Sequence, residues 1–264
     1  MSRVTIEINN HIAVVKLNRP EKMNALDIAM FKGIIEAGEK VAANPSVRVV
    51  VLVGTGKAFC AGIDLSNFSN PDGAGSKPLA TRTHGVANMW QQAAWIWRAL
   101  PVPVIAAVHG VAFGGGLQIM LGADIKYVTA DTKLSVMEMK WGLIPDMAGT
   151  QLMYHSVRDD IIRELTYTNR IFSGAEAVQY GFCTHVSEDS LADAMKLATE
   201  IAGKSPTAIV KAKKILNAAP YLNVEDGLMM ESVEQDAVIK KKNQLEAVYS
   251  SMQKRAGNFE DYRE

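Results

Sequence analysis

The sequence predicts an α/β domain that gives way to an α-helical C-terminal part. Continuous β-branched runs at residues 47–53 and 104–108 are typical of strands that are covered on both faces. Segments with apolar residues at helical spacing separate these runs, and from about residue 147 the pattern is almost wholly helical. Strands that alternate with helices and then cease indicate an α/β core followed by packed helices. We place the core at residues 1–200 and the helical part at residues 201–264.

Alternation and turn residues predict the N-terminal elements. Val4–Ile8 and Ile12–Leu17 alternate apolar and polar side chains, and Asn9-Asn10 between them predicts a hairpin. A helix is predicted from Leu26 to Val41. Residues 66–78 are rich in Ser, Asn, Gly and Pro and predict a mobile loop.

Further along, a helix is predicted at Trp90–Leu100, and a short helix begins at Gly114-Gly115-Gly116. A strand follows at Ile125–Val128. Ser173 is placed to cap a helix that Gly181 ends. Successive helices are expected from Leu191 to Arg255. Their short basic run, which consists of Lys211, Lys213 and Lys214, predicts a solvated helix face.

Composition excludes several classes of protein. The 264 residues fit one large domain, or one with a smaller appendage, and the 28 basic and 28 acidic side chains provide no field for nucleic acid or an anionic membrane. The apolar stretch from Val102 to Ile125 contains His109, Gln118 and five glycines, so it predicts a strand, a turn and a helix and not a membrane span. Two distant cysteines and a strand pattern from the first residues predict a reduced cytoplasmic protein without a targeting peptide.

Two glycine-bearing turns, Phe59–Leu65 and Gly110–Leu117, follow buried strands and are the candidate site. The triple glycine opens a helix, whose first N–H groups are unpaired donors at the positive end of the helix dipole. Such donors suit an oxygen that gains negative charge in a transition state. Tight packing of strand against helix is the alternative for a glycine triplet alone.

Several segments together resemble the crotonase family, which includes enoyl-CoA hydratases and isomerases. They are Asn18–Leu26, Lys57–Leu65, Gly110–Leu117, Glu138–Asp146 and Thr168–Ala177, and they occur in the family's order and spacing. The similarity runs from about residue 4 to residue 215 and more loosely to the end. The resemblance implies a crotonase-like spiral of ββα units that assembles as a homotrimer or a dimer of trimers, with residues 201–264 as its trimerisation region.

The resemblance also implies an acyl-CoA thioester as substrate, with no additional cofactor and no metal. Its carbonyl oxygen would accept hydrogen bonds from the backbone N–H groups of Ile63 and Gly115, which form the oxyanion hole and stabilise an enolate. The residues that line the path of CoA would be Met23, Ala25, Lys57, Ala58, Phe59, Ala61, Gly62, Leu65 and Gly114. Lys254 and Arg255 are candidates for the CoA phosphates, with a solvated helix face as the alternative.

Three side chains decide the predicted reaction. Hydratases of the family carry two glutamates; Glu138 matches the second, whereas Gln118 replaces the first. An amide cannot exchange a proton usefully at neutral pH, so we favour double-bond isomerisation by Glu138 over hydration. Asp146 is a second candidate base, or else the cap of a helix beginning near Met147. Hydration and a non-catalytic acyl-CoA-binding role are the alternatives.

Overall fold

The computed structural model describes residues 2–69 and 78–262, and these form two β-sheets with helices packed around them. The larger sheet contains, in spatial order, β1 (Val4–Asn9), β2 (Ile12–Leu17), β3 (Val49–Gly54), β4 (Val104–Val108), β6 (Ile125–Thr129) and β9 (His185–Ser187). The smaller sheet contains β5 (Val111–Phe113), β7 (Lys133–Ser135) and β8 (Phe172–Ser173). The predicted hairpin is confirmed, since β1 and β2 are antiparallel; the other neighbours in the larger sheet are parallel.

The described α-helices are α1 (Ile28–Ala42), α2 (Met89–Ala99), α3 (Gly115–Leu121), α4 (Gly149–Met153), α5 (Asp159–Thr168), α6 (Gly174–Tyr180), α7 (Ser190–Ala202), α8 (Pro206–Ala218), α9 (Val224–Asp236) and α10 (Lys242–Met252). Short 3-10 helices occupy Pro20–Lys22, Leu65–Ser69, Glu138–Trp141 and Ala219–Tyr221. Predicted cap residues act as expected: Ser173 forms a capping box with Glu176, and Gly181 ends α6 at a φ of 90°.

The two sheets are built by a repeated ββα path. β4 lies in the larger sheet, β5 lies in the smaller sheet, and α3 follows; β6 and β7 repeat the step between the sheets. Nearer the N-terminus, single residues pair in the same way without forming a full strand. They form the parallel bridges Leu26↔Ile63 and Cys60↔Ala112, which lie in a second layer with the smaller sheet. The second layer therefore continues past β5 towards the N-terminal part of the chain. This arrangement confirms the predicted α/β spiral.

Strand β3 shows how the core is covered on both faces. Val50 and Leu52 pack in the main apolar cluster, which also contains the buried faces of α1 and α2. Val49, Val51 and Val53 point the other way and pack with the alanines that line one face of α7. All six residues of the strand are buried. Because both faces of the strand are covered, its sequence is continuously apolar, as predicted.

The prediction of an almost wholly helical pattern after residue 147 is confirmed, and two short strands are the exceptions up to residue 262. β8 pairs antiparallel with β7, and β9 pairs parallel with β6 at the edge of the larger sheet. Strands of two and three residues are too short to show an alternating pattern, so only their tertiary partners define them. Of the predicted loop at 66–78, residues 70–77 lie outside the described residues.

The apolar stretch from Val102 to Ile125 is divided among elements, as the sequence predicts. It forms β4, β5, α3 and the first residue of β6. No helix in the described part of the chain is long and apolar enough to cross a membrane.

The prediction of a solvated basic run on α8 was wrong for its central lysine. The Lys213 side chain is only 7% exposed. Its Nζ donates to the Val102 carbonyl at 2.9 Å and to Asp124 Oδ2 at 2.8 Å. Asp124 Oδ2 also accepts from the N–H of Val104 at 2.8 Å. Lys213 therefore joins α8 to the segment that leads into β4.

This contact predicts different effects for two adjacent lysines. Lys213→Met leaves the partly buried Asp124, whose side chain is 21% exposed, without its closest cation, so we expect the free energy of unfolding to fall by about 2 kcal/mol. Lys214, whose side chain is 53% exposed, pairs with Glu234, which is buried and also pairs with Lys211 at 2.8 Å. Lys214→Met should therefore cost less than about 1 kcal/mol. Urea unfolding of the two variants measures both values, and equal losses would contradict the role given to Lys213.

Candidate active site

A cavity of about 390 Å³ lies between the two glycine turns and the segment at residues 137–147. Backbone and small side chains of the turns form one wall, and two carboxylates lie among apolar side chains on the other. The lining residues are Ala61, Gly62, Ile63, Leu65, Phe113, Gly114, Gly115, Met137, Glu138, Lys140, Trp141, Leu143, Ile144, Asp146, Met147 and Ile171.

The first predicted donor is oriented by its pairing with Leu26. The N–H of Leu26 donates to Gly62 O at 2.8 Å, and the N–H of Asp64 donates to Leu26 O at 3.0 Å. In a parallel bridge of this kind, the residue between the two bonds directs its own N–H away from the partner strand. The N–H of Ile63 is therefore directed away from Leu26 and is available to a ligand in the cavity.

The second predicted donor is Gly115, the first residue of α3. Its N–H has no place in the intrahelical hydrogen-bond ladder, as for every residue in the first turn of a helix. The two turns lie close together: a Cβ on Gly62 would be 3.8 Å from Gly115 N and only 2.6 Å from Phe113 O. Gly62 also has a φ of +89°. Both the contact and the backbone conformation therefore require glycine at this position.

Sequence reasoning missed the residue that holds the first turn in place. Asn24 is fully buried, and its Nδ2 donates to the carbonyls of Ala58 and Phe59 at 2.8 and 3.1 Å. Its Oδ1 accepts from the N–H of Arg19 at 2.8 Å. Asn24 lies within a segment that the resemblance singled out, but the sequence contains no signal that its side chain is buried.

Asp64 fixes the other end of the same turn. It accepts hydrogen bonds from the backbone and hydroxyl of Ser66, and Arg19 Nη1 donates to it at 2.7 Å. These donors, the Ser66 backbone N–H first, lower the pKa of Asp64 to about 2. Asp64 is therefore ionised under ordinary conditions, and its contacts are internal to the protein.

Glu138 carries a carboxylate with few hydrogen-bond partners. Its Oε1 accepts from Gln118 Nε2 at 2.6 Å, and its Oε2 is buried without a partner among the described residues. Burial raises the pKa of Glu138, and the negative charge of Asp146 raises it further, while the hydrogen bond from Gln118 opposes both effects. A carboxylate of this kind is a stronger base than one in water.

The amide of Gln118 is fixed by its neighbours. Its Oε1 accepts from the N–H groups of Met147 and Gly149, each at 2.9 Å. The amide nitrogen must therefore point towards Glu138. Gln118 is buried and does not line the cavity; it lies behind Glu138 and links it to the turn that follows Asp146.

Asp146 lines the cavity and does not cap a helix. The N-cap of α4 is Ala148, so the capping alternative is wrong. Burial raises the pKa of Asp146. Neither Asp146 nor Glu138 forms an ion pair within the described residues. The cavity therefore holds two partly buried carboxylates and two backbone N–H donors.

The residues predicted to line the path of CoA separate into two groups. The cavity is lined by Ala61, Gly62, Leu65 and Gly114. Outside it lie Met23, Ala25, Lys57, Ala58 and Phe59. Ala58 and Phe59 are at most 1% exposed, so neither residue presents surface to a ligand in this structure.

Sequence reasoning also missed an apolar rim. Trp141, Leu143, Ile144 and Ile171 line the cavity with exposed fractions of 39 to 67%. The sequence does contain a signal for this rim: Trp141–Ile144 is a short, mostly apolar run beside Glu138, and it could have predicted an apolar surface there.

Comparisons with known proteins show which family the chain belongs to. The family described as enoyl-CoA hydratase/isomerase matches residues 7–262. A putative enoyl-CoA hydratase/isomerase, YngF of Bacillus subtilis, is 32% identical over 94% of each chain. The mitochondrial Delta(3,5)-Delta(2,4)-dienoyl-CoA isomerase of Mus musculus is 30% identical over 93% of this chain and 77% of its own.

Among solved structures, an enoyl-CoA hydratase from Bacillus anthracis superposes with a TM-score of 0.88. It is 29% identical, and the match covers 97% of this chain and 98% of that one. The predicted crotonase-like fold is confirmed. The chain belongs to the enoyl-CoA hydratase/isomerase family of the crotonase superfamily.

Proposed function

We propose that this enzyme isomerises a carbon–carbon double bond in an enoyl-CoA, with Glu138 as the base. One observation carries the proposal: a partly buried carboxylate of raised pKa lies in the cavity beside a neutral amide whose oxygen already accepts two hydrogen bonds. Moving a double bond needs one group that removes a proton from one carbon and returns it to another. A single carboxylate can perform both steps.

The N–H groups of Ile63 and Gly115 bind the thioester oxygen in this proposal. Glu138 removes a proton from the carbon next to the carbonyl of a 3-enoyl ester, and the electron pair moves into a dienolate whose oxygen the two donors stabilise. The protonated Glu138 then gives the proton to the fourth carbon. The product is the 2-enoyl ester, which has the same atoms as the substrate.

Asp146 is a second candidate base in the same cavity. It is a second carboxylate of raised pKa in the same cavity, so it can exchange a proton with a carbon farther along the acyl chain. The similarity to a dienoyl-CoA isomerase supports such a substrate, because a conjugated diene spreads the charge over more carbons.

Hydration is the second candidate, and the similarity to a solved enoyl-CoA hydratase favours it. It requires a group that orients the attacking water and a second group that exchanges its proton. Gln118 is poorly suited to this role, because its oxygen accepts from Met147 and Gly149 and its nitrogen donates to Glu138. We therefore rank hydration below isomerisation.

We also propose that residues 201–264 mediate self-association as a trimer or a dimer of trimers. α9 and α10 carry many exposed apolar side chains, which a monomer would leave in water. They include Val224, Leu228, Met229, Val233, Tyr249 and Met252, each at least 55% exposed.

Turnover of matched substrates tests the proposed reaction. We expect purified protein to convert 3-enoyl-CoA into 2-enoyl-CoA without change of mass, because Glu138 only relocates a proton. Glu138→Gln keeps the shape and removes the base, so the rate should fall by at least about a hundredfold. Absorbance of the conjugated ester and mass spectrometry measure the product. A product heavier by one water from the 2-enoyl ester would establish hydration instead.

The pH profile tests the environment of Glu138. The base must be ionised, so kcat/KM should decline as pH falls through the raised pKa of Glu138, above the usual glutamate range. Asp146→Asn removes a negative charge and should move this decline to lower pH. Gln118→Met removes the hydrogen bond that stabilises the carboxylate and should move it to higher pH. Coincident profiles for the three proteins would contradict the assignment.

The close contact of the two turns gives a third test. Gly62→Ala places a Cβ 2.6 Å from Phe113 O and should displace the Phe113–Gly114 peptide, which leads directly into Gly115. Loss of one oxyanion donor typically costs a factor of about 10²–10³ in kcat, and we expect a loss of this order. Gly85→Ala is the control, because Gly85 also has positive φ but nothing lies within 4 Å of its Cβ position. Equal losses would show that backbone strain alone is responsible.

A further inference from the structure

The charges around the cavity restrict the acyl group that it can hold. Glu138 and Asp146 are the carboxylates that line it. Both are partly buried and neither forms an ion pair within the described residues, and the charge of Asp146 raises the pKa of Glu138. The interior therefore has a negative potential that solvent screens poorly.

The positive charge that lines the cavity, on Lys140, lies at its solvent-exposed edge. Lys140 is the basic side chain among the described lining residues, and it is exposed. Its Nζ lies 5.3 Å from the centroid of the Trp141 ring, so the charge is directed over the aromatic face in solvent. Lys140 therefore cannot compensate a second anion that is buried with the acyl chain.

Apart from Trp141, whose indole lies at the exposed rim, the remaining side chains around the acyl space are apolar. Phe113, Met137 and Met147 line the inner part, and Leu143, Ile144 and Ile171 line the exposed rim. None of these can donate a hydrogen bond to a carboxylate. An anion placed among them would lose its hydration without gaining a partner.

We infer that the cavity accepts uncharged acyl groups and excludes acyl groups that carry a second carboxylate. This inference rests on the proposed function for the position of the thioester. The selection is mainly electrostatic: a dicarboxylic acyl chain would bring a third carboxylate into a space that already holds two. Like charges brought together in this way are strongly disfavoured.

Binding of two saturated esters tests the inference without any turnover. Hexanoyl-CoA and adipoyl-CoA have six-carbon acyl chains and differ in the terminal carboxylate. We expect adipoyl-CoA to bind the whole protein at least about tenfold more weakly at neutral pH, which corresponds to about 1.4 kcal/mol. Titration calorimetry measures both dissociation constants. Equal or tighter binding of adipoyl-CoA would overturn the inference.

Two variants identify the cause of the difference. Asp146→Asn removes one of the two charges, and Ile171→Lys adds a cation at the rim; each should reduce the preference for hexanoyl-CoA severalfold. Ile171→Met is the matched control and should leave the preference unchanged. If neither Asp146→Asn nor Ile171→Lys alters the ratio, the selection does not arise from charge and the inference fails.

This experiment separates the inference from the proposed reaction. Tight binding of hexanoyl-CoA with weak binding of adipoyl-CoA supports the inference even if no 3-enoyl ester is isomerised. Turnover of the 3-enoyl ester together with tight adipoyl-CoA binding would support isomerisation and overturn the inference. If neither ester binds, the acyl-CoA site itself is wrong, and the inference falls with it.

Discussion

The site depends on the close approach of two backbone turns. Gly62 lies against the carbonyl of Phe113, and Gly116 lies against the carbonyl of Cys60, where a Cβ would be 2.4 Å from the oxygen. A side chain at either position would separate the turns and the two N–H donors with them. The parallel bridge between Leu26 and Ile63 sets the direction of the first donor, and the start of α3 sets that of the second. The donors are therefore oriented before any substrate binds, which is the condition for effective electrostatic stabilisation.

The second wall is organised by a single amide. Gln118 binds the backbone on both sides of Ala148 and donates to Glu138, so it connects the two segments that carry the carboxylates. A carboxylate in its place would face the N–H groups favourably with one oxygen but oppose Glu138 with the other. The hydrogen bond from the neutral amide thus favours the ionised form of the partly buried Glu138. Unlike a carboxylate, the Gln118 amide cannot usefully exchange a proton with water. Gln118 therefore influences both the stability of the site and the proposed reaction.

The C-terminal helices are joined to this core by buried polar contacts as well as by apolar packing. Lys213 bonds the carbonyl that precedes β4 and the carboxylate of Asp124. Arg48, at the start of β3, donates to Phe259 O at 2.9 Å and to Asp261 at 3.0 Å. Because Lys213 and Arg48 are buried and each donates to both a backbone carbonyl and a carboxylate, the C-terminal segment has a defined position on the sheet. The apolar faces of α9 and α10 are then presented outward.

The sequence by itself determined the α/β class, the hairpin, the buried strands and the two glycine turns, because each depends on local alternation, turn chemistry or an uninterrupted apolar run. The family resemblance also singled out Glu138, Asp146 and Gln118 as the candidate side chains for the reaction. Only the tertiary structure decided that Gln118 donates to Glu138, that Asp146 does not cap α4, and that β8 and β9 are strands. It also decided that Asn24 and Lys213 are buried. The physical reason is the same in each case: a hydrogen bond between segments tens of residues apart leaves no periodic trace in either one, since its partners are chosen by the fold.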